Sequence, residues 1–361
     1  MRKLATIDVV EDVRKHPDAD TLDIIIVRGW QIISKSGNFK IGDKAVVFEI
    51  DSVFEKDSVV GLSLPADKAT RVHTEEKGYV DEAFRIKTIK LRGQISQGYA
   101  LPITYFEGKG VNLDAEDLTT ELNVLKYDKP ESWSGPGAGR ANTAGSFPTD
   151  YVKKTDQERA QNLKRTIYDH YVEDTPFQVT YKLDGSSETI ARLQVEGAPK
   201  DYICSRNLAL KLDNEEDTSH FLVVGKPILA KMIEMEIEGL ALQGELVSPG
   251  IQKNFEGVSK PEFYLFNVFS QFGYTYLPPS QAKEFADRLG IKHVPILHHE
   301  TTLEELFGEG LTENELLAKL LEYAEGPSGL NGKYREGLVY KSLDGQFSFK
   351  TISNSYLLKE K

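Results

Sequence analysis

The sequence predicts an α+β protein of two domains, and three observations carry that reading. The chain has 361 residues, about two domains' worth at roughly 100–200 residues each. Its first ~105 residues read as short strands with no long 3.6-residue periodicity, which predicts a small β-barrel or sandwich. From Tyr151 onward helical and strand patterns alternate, so residues 151–361 read as a mixed domain, with residues 106–150 as a connector.

Composition sets the outer bounds. Hydrophobic residues make up 40% and charged residues 28% of the chain, an ordinary globular balance. No run approaches the ~20 apolar residues of a membrane helix, so no membrane partner is expected. The N-terminus meets acid within its first ten residues and has no apolar signal core. Cys204 is the one cysteine, which excludes an intramolecular disulfide framework and a Cys-cluster zinc site; a reducing, cytoplasmic setting is expected. The net charge of −12, from 44 basic and 56 acidic residues, argues against a protein that coats nucleic acid nonspecifically. It leaves open an enzyme that holds nucleic acid in a locally basic groove. No obligate protein partner is evident.

In the N-terminal region, residues 23–29, 44–50, 84–91 and 98–103 are strand-length and rich in Val, Ile, Phe and Tyr. Turn signals separate them: His16-Pro17-Asp18, Ser36-Gly37-Asn38, Ile41-Gly42-Asp43 and Arg92-Gly93-Gln94. Lys87, Lys90 and Arg92, with Phe84 and Tyr99 nearby, can supply backbone and stacking contacts to nucleic acid, or can equally be solvated positions on an amphipathic hairpin. Residues 131–146 are the most Gly/Ser/Ala-biased stretch and lack the Gly-Lys-Ser/Thr ending of a phosphate loop, so they read as a linker.

In the second domain, residues 155–168 read as a helix, with Thr155 and Glu158 spaced as a capping box. Strands are expected at 177–183, 240–247, 263–270, 337–342 and 347–351, and helices at 220–238, 280–289 and 312–325. The acidic, amphipathic segment 302–325 reads as a peripheral helical insertion. His293, His298 and His299 lie close in sequence but lack a zinc-binding spacing. Cys204 reads as packed rather than reactive.

The sharpest local pattern is Tyr181-Lys182-Leu183-Asp184-Gly185-Ser186-Ser187. In a strand, Lys182 and Asp184 share one face while Val179, Tyr181 and Leu183 take the other. Lysine attacks only as the neutral amine, and burial or a nearby cation lowers its pKa toward that form. Lys-x-Asp-Gly also fits a surface lysine before a turn, and arises by chance in roughly one chain in ten of this length.

An ordered series follows: Ser205-Arg206-Asn207, then Gln243-Gly244-Glu245-Leu246-Val247-Ser248-Pro249-Gly250-Ile251-Gln252, then Tyr264-Leu265-Phe266-Asn267-Val268, then Arg335-Glu336-Gly337-Leu338-Val339-Tyr340-Lys341, then Phe347-Ser348-Phe349-Lys350-Thr351. This order resembles motifs I, Ia, III, IIIa, IV and V of the covalent nucleotidyltransferases, and the Gly244-to-Gln252 run is similar to RNA rather than DNA ligases. His16-Pro17-Asp18-Ala19-Asp20, Phe48-Glu49-Ile50-Asp51-Ser52 and Leu91-Arg92-Gly93-Gln94-Ile95-Ser96-Gln97-Gly98 resemble the N-terminal OB domain of the Deinococcus-type RNA ligases.

The resemblance implies an OB-like β-barrel over residues 1–105 and an antiparallel-sheet, ATP-grasp-like ligase domain. It implies ATP-dependent RNA ligation: a lysyl–AMP intermediate on Lys182, AMP transfer to a 5′-phosphate, then sealing to a 3′-hydroxyl of RNA or a nicked duplex, with Mg2+ or Mn2+. It places Arg206 and Glu245 at the ribose, Phe266 on adenine, Lys350 at the α-phosphate with Phe347 and Phe349 turned to the core, and Arg159 as a further phosphate contact. Glu336 would hold metal-bound water, with Asp184 acting through water. Lys87, Lys90 and Arg92 would hold nucleic acid.

Two positions depart from the family pattern. Ser348 and Ile352 flank Lys350 where a second motif V lysine is common, and Lys341 or Lys359 could substitute. Lys341, by strand alternation, faces away from Glu336 and reads as a solvated charge. Asn267 stands where a carboxylate is common. The chain ends soon after motif V, which favours an RNA ligase over enzymes that carry a C-terminal OB domain. The alternatives are a GTP-using mRNA capping guanylyltransferase and a non-catalytic RNA- or tRNA-binding protein.

Overall fold

Strand Trp30–Lys35 buries every second residue, Trp30, Ile32 and Ser34, as a half-buried strand must. It forms a three-stranded antiparallel sheet with Leu22–Val27 and Asp12–Lys15. A second sheet joins Ala5–Val9, Lys44–Phe48 and Tyr99–Pro102, with Lys44–Phe48 in the middle. That central strand is covered on both faces: Val46 and Phe48 pack with Phe54 and Leu118, and Ala45 and Val47 pack with Ile25 and Ile32. A third sheet orders Leu125–Lys126, Ser52–Glu55, Gly78–Arg85 and Thr70–Thr74.

The computed structural model describes residues 2–128, 143–213, 219–331 and 334–359, and the chain divides into two units, 1–131 and 132–360. In the first unit the expected strand at 84–91 is instead the end of Gly78–Arg85 followed by a hairpin, Ile89–Leu91 with Gln94–Ser96. Residues 106–128, expected in the connector, pack into this unit: Phe106, Leu118, Leu122 and Val124 join the core of Leu4 and Phe48. Sequence reading missed this because Leu118, Leu122 and Val124 lie in irregular backbone without strand alternation. Of the Gly-rich stretch, residues 131–142 lie outside the described residues, and its end, Thr143–Ser146, is an edge strand on Leu208–Leu210.

The second unit is built on two sheets. One orders Glu158–Arg159, Ser348–Ile352, Gly337–Ser342, Phe177–Lys182 and Ile296–Thr301. The other runs Thr143–Ser146, Leu208–Leu210, Ala198–Cys204, Ser186–Val195, Leu240–Val247, Glu262–Ser270 and Thr275–Tyr276, with Lys292–His293 alongside Glu262–Ser270. Helices His220–Glu234 and Pro279–Leu289 cover the larger sheet through Leu222, Leu229, Ala282 and Ala286. Among the described residues no helix is long and apolar enough to cross a membrane.

Two expectations are corrected here. The capping box at Thr155 and Glu158 does not form: Glu158–Arg159 is a short strand parallel to Ser348–Ile352, and the helix begins later, as Lys164–Val172. Thr155 instead meets the Ser187 hydroxyl at 3.3 Å, and Glu158 accepts from Asn162. The acidic segment is not peripheral either. Its helices, Leu303–Phe307 and Glu313–Tyr323, each carry a complete capping box, from Thr302 and Thr312. Leu303, Leu316, Leu317 and Leu320 close the core behind the smaller sheet against Phe177, Leu338, Tyr340 and Phe349. Exposed acids on the outer face mask this apolar stripe in a composition count.

Candidate active site

Lys182 ends the strand Phe177–Lys182, directly opposite Gly337. Gly337 admits the neighbouring strand, since a Cβ there would lie 2.0 Å from the Thr351 carbonyl oxygen. Glu336 precedes it, and its Oε1 lies 2.8 Å from Lys182 Nζ. Beyond Lys182 the chain turns through Leu183 to Gly185 and crosses to the larger sheet as Ser186–Val195. Gly185 is needed for that crossing: a Cβ would sit 2.4 Å from the Leu246 carbonyl oxygen and 2.9 Å from Glu245 Cγ. The crossing places Glu245, on Leu240–Val247, beside Lys182, where its carboxylate accepts from the Gly185 amide.

Three carboxylates therefore surround one ammonium. Burial pushes the Lys182 pKa down, but Glu336, Glu245 and Asp184 outweigh it and hold the amine protonated, above its ordinary range. Burial by itself favours the neutral amine, and the three neighbouring acids oppose it. Burial and the neighbouring Glu336 push Asp184 up to about 8; burial likewise raises Glu245 to about 7 against the pull of Lys182. Glu336 Oε2 is buried and lacks a hydrogen-bond partner among the described residues. A buried unpartnered oxygen amid crowded acids is the signature of missing positive charge. Among the described residues no three His, Cys, Asp or Glu side chains come together to ligate an ion directly. An orphaned carboxylate oxygen among crowded acids fits a hard, oxygen-seeking cation.

Cations gather on the other side of the pocket. Lys350 lies on Ser348–Ile352, and Arg159 pairs with it in parallel register. Arg159 thus reaches the site from an edge strand, not from the expected helix. Burial, with Lys182 and Arg159 nearby, lowers the Lys350 pKa, and Asp156 at 3.2 Å opposes that shift. Arg206 stands in the loop between Ala198–Cys204 and Leu208–Leu210, half exposed, and its charge reaches Glu245. Phe349 is fully buried, stacked on Tyr340 with centroids 4.5 Å apart, and Phe347 stacks on His170 at 4.2 Å.

Phe266 is the extra residue of a β-bulge: Gln243 pairs with Asn267 and Gly244 with Leu265, so Phe266 has no opposite number. It lines a cavity with Asp156, Asn267, Lys341 and Phe347. Lys341 is 7% exposed, not solvated. Glu336 lies before the strand begins, so alternation does not relate the two, and Lys341 shares the inter-sheet face with Val339. It donates to the Phe266 carbonyl and to Asn267 Oδ1, 2.6 Å away. Burial with only neutral acceptors drops its pKa to about 7. The side chain of Lys359 lies outside the described residues.

Sequence reading missed three residues around this site. Buried Glu256 accepts from the Asp184 amide and from the Ser328 hydroxyl, each at 3.1 Å, and fixes the turn after Lys182. Tyr356 hydrogen-bonds the Asp184 carboxylate. Asp156 is another, and Lys341, named as a possible substitute for the second motif V lysine but read as a solvated charge, is buried here.

In the first unit Lys87, Lys90 and Arg92 are all exposed on and beside the Ile89–Leu91 hairpin, where Ile89 and Leu91 are also accessible. Arg92 donates to the Asp18 carbonyl at 3.1 Å. Phe84 is buried, and Tyr99 stacks on Phe48 and donates to Ser63. These two aromatics belong to the core and are not stacking surfaces.

Comparison with known proteins agrees with this geometry. A model of the RNA ligase family matches residues 175–353, and a model of an OB-fold domain matches residues 4–103. A Naegleria gruberi RNA ligase solved with AMP and Mn is 34% identical, with a TM-score of 0.81 over 99% of this chain and 98% of that one. An apo form is 33% identical over the full length of both chains, with a TM-score of 0.82. A form with ATP and Mn is 34% identical over 99% of this chain and 98% of that one, with a TM-score of 0.78. A search of curated proteins finds no match. These matches support neither a capping enzyme nor a non-catalytic binding protein. With an OB fold in its first unit and a lysine-centred pocket in its second, the chain belongs to the RNA ligase family.

Proposed function

We propose that the pocket around Lys182 performs the first step of ATP-dependent RNA ligation. The observation that carries this reading is the 2.8 Å contact between Lys182 and Glu336, ringed by Glu245 and Asp184 and faced by Lys350 and Arg159. An amine among carboxylates, opposite a pair of cations, is arranged to meet a phosphate ester.

Lys182 Nζ attacks the α-phosphorus of ATP. The ammonium first loses a proton to water, and the P–N bond then forms as the bond to pyrophosphate breaks. The surrounding acids hold that proton on Nζ until their charge is offset. A divalent cation, Mg2+ or Mn2+, would be held through water by Glu336 and Asp184, and when bound supplies that offset and screens the phosphates. Lys350 and Arg159 hold the α-phosphate, Arg206 and Glu245 the ribose, and Phe266 the adenine face. Glu256 keeps the Asp184 turn in place. AMP then passes to a 5′-phosphate, and a 3′-hydroxyl displaces it to seal the ends.

The first unit holds the nucleic acid, with Lys87, Lys90 and Arg92 on the phosphate backbone. Exposed cations on a short hairpin support this role, with Ile89 and Leu91 as the apolar part of the surface. Residues 1–131 then form the RNA-binding domain and 132–360 the adenylylation domain. The test is incubation of the full chain with labelled ATP or GTP and Mg2+ or Mn2+. Covalent label from ATP supports the proposal; label from GTP alone, or none, overturns it.

A further inference from the structure

We propose that Asp156 is an internal competitor for the nucleotide phosphate: its carboxylate takes up Lys350 and Arg206, and nucleotide binding requires it to let go. The inference rests on the reading above, in which those two cations face the nucleotide.

The geometry is that of an anion site filled by the protein's own acid. Asp156 Oδ1 lies 3.2 Å from Lys350 Nζ, and Oδ2 lies 4.0 Å from Arg206 Nη2. The two cations come from different sheets, Lys350 from the smaller and Arg206 from a loop of the larger. Arg159, in register with Lys350, adds a third positive charge to the same corner. Asp156 itself sits in irregular backbone before Glu158–Arg159.

The asymmetry of burial determines which partner can move. The side chain of Lys350 is 18% exposed and that of Asp156 is 53% exposed. Asp156 is thus the more accessible partner, whereas Lys350 is largely buried in its strand. Holding Lys350 charged beside Lys182 and Arg159 is unfavourable, and the Asp156 carboxylate offsets it. A polyphosphate brings more charge than a carboxylate and displaces it, while a small inorganic anion gains less from the exchange. Asp156 thereby lowers affinity for every anion that uses these cations.

The test uses the full chain with Asp156→Asn, which keeps the shape and removes the charge, and Asp156→Glu, which keeps the charge. Lysyl–AMP formation is followed against ATP concentration, alone and with inorganic sulfate as the probe anion. For Asp156→Asn the KM for ATP should fall about 3- to 10-fold with kcat within about twofold, and sulfate should inhibit at correspondingly lower concentration. Asp156→Glu should lower the KM for ATP and the inhibiting sulfate concentration less than Asp156→Asn does. A KM for Asp156→Asn that is unchanged or raised overturns the proposal. Lys350→Ala separates this outcome from failure of the site reading: if it forms adduct with wild-type KM and kcat, Lys350 does not face the nucleotide and both readings fall. If it is impaired while Asp156→Asn keeps its KM, the competitor role alone falls.

Discussion

The ammonium of Lys341 reaches from the smaller sheet of the second unit to the carbonyl of Phe266 on the larger one. Phe266 is the bulged residue of its strand, so its carbonyl lacks the ladder pairing its neighbours have. Lys341 supplies a donor there, and Asn267 takes a second hydrogen bond at 2.6 Å. Both acceptors are neutral, and burial beside them drops the pKa of the amine to about 7. One lysine thus anchors the backbone of the residue whose ring lines the cavity.

Lys341→Met should therefore loosen Phe266 and weaken nucleotide binding. A hydrogen bond to a charged group contributes about 1.5–3 kcal/mol, so the KM for ATP should rise roughly 10- to 150-fold. Phe266→Ala should have a similar effect, and the double variant should be clearly less than additive. Additive losses in adduct-formation kinetics would separate the two residues.

Lys182→Ala should abolish the covalent AMP adduct, and Lys182→Arg should not restore it, because a guanidinium stays protonated. Glu336→Ala and Glu245→Ala should fail at the same step. Gel detection of labelled AMP on the protein checks each. Label retained by Lys182→Ala would remove Lys182 as the nucleophile.

Glu188 is fully buried on Ser186–Val195, and neither carboxylate oxygen has a hydrogen-bond partner among the described residues. Burial raises its pKa well above the usual carboxylate range. A raised folded-state pKa gives a contribution to stability that is full below about 4.5 and is lost as pH climbs from there. Glu188→Gln should flatten that decline. Glu188→Leu should raise stability at neutral pH by about 1–3 kcal/mol by removing an unsatisfied polar group. Urea unfolding at pH 5 and pH 8 measures both effects; a wild-type pH slope in Glu188→Gln would contradict them.

Replacing Lys87, Lys90 and Arg92 together with Ser should weaken RNA binding and reduce its dependence on salt. Adenylylation of Lys182 should be untouched, since the substituted side chains belong to the first unit. Filter binding across a salt series, beside an adduct assay, tests this. Unchanged binding would require a different nucleic-acid surface.

The residues proposed for the chemistry lie in local motifs, and so they were legible in the sequence by itself. Lys182, Glu245, Phe266, Glu336 and Lys350 each sit in a short motif whose neighbours fix a strand or a turn, and strands Leu240–Val247 and Gly337–Ser342 were legible to the residue. Tertiary structure decided what no local pattern encodes. Lys341 changed from a solvated charge to a buried strut because burial depends on the facing sheet. Arg159 kept its place near Lys350 but moved from a helix to an edge strand, since pairing with Ser348–Ile352 outweighed the local capping pattern. Residues 106–128 joined the first core, and the acidic helices closed the second, because apolar contacts distant in sequence outweigh the polar look of each segment. The surroundings of Lys182 were decided in the same way: burial alone favours the free amine, and the fold adds Glu245 and Glu336, 63 and 154 residues away in sequence, whose charges pull the other way.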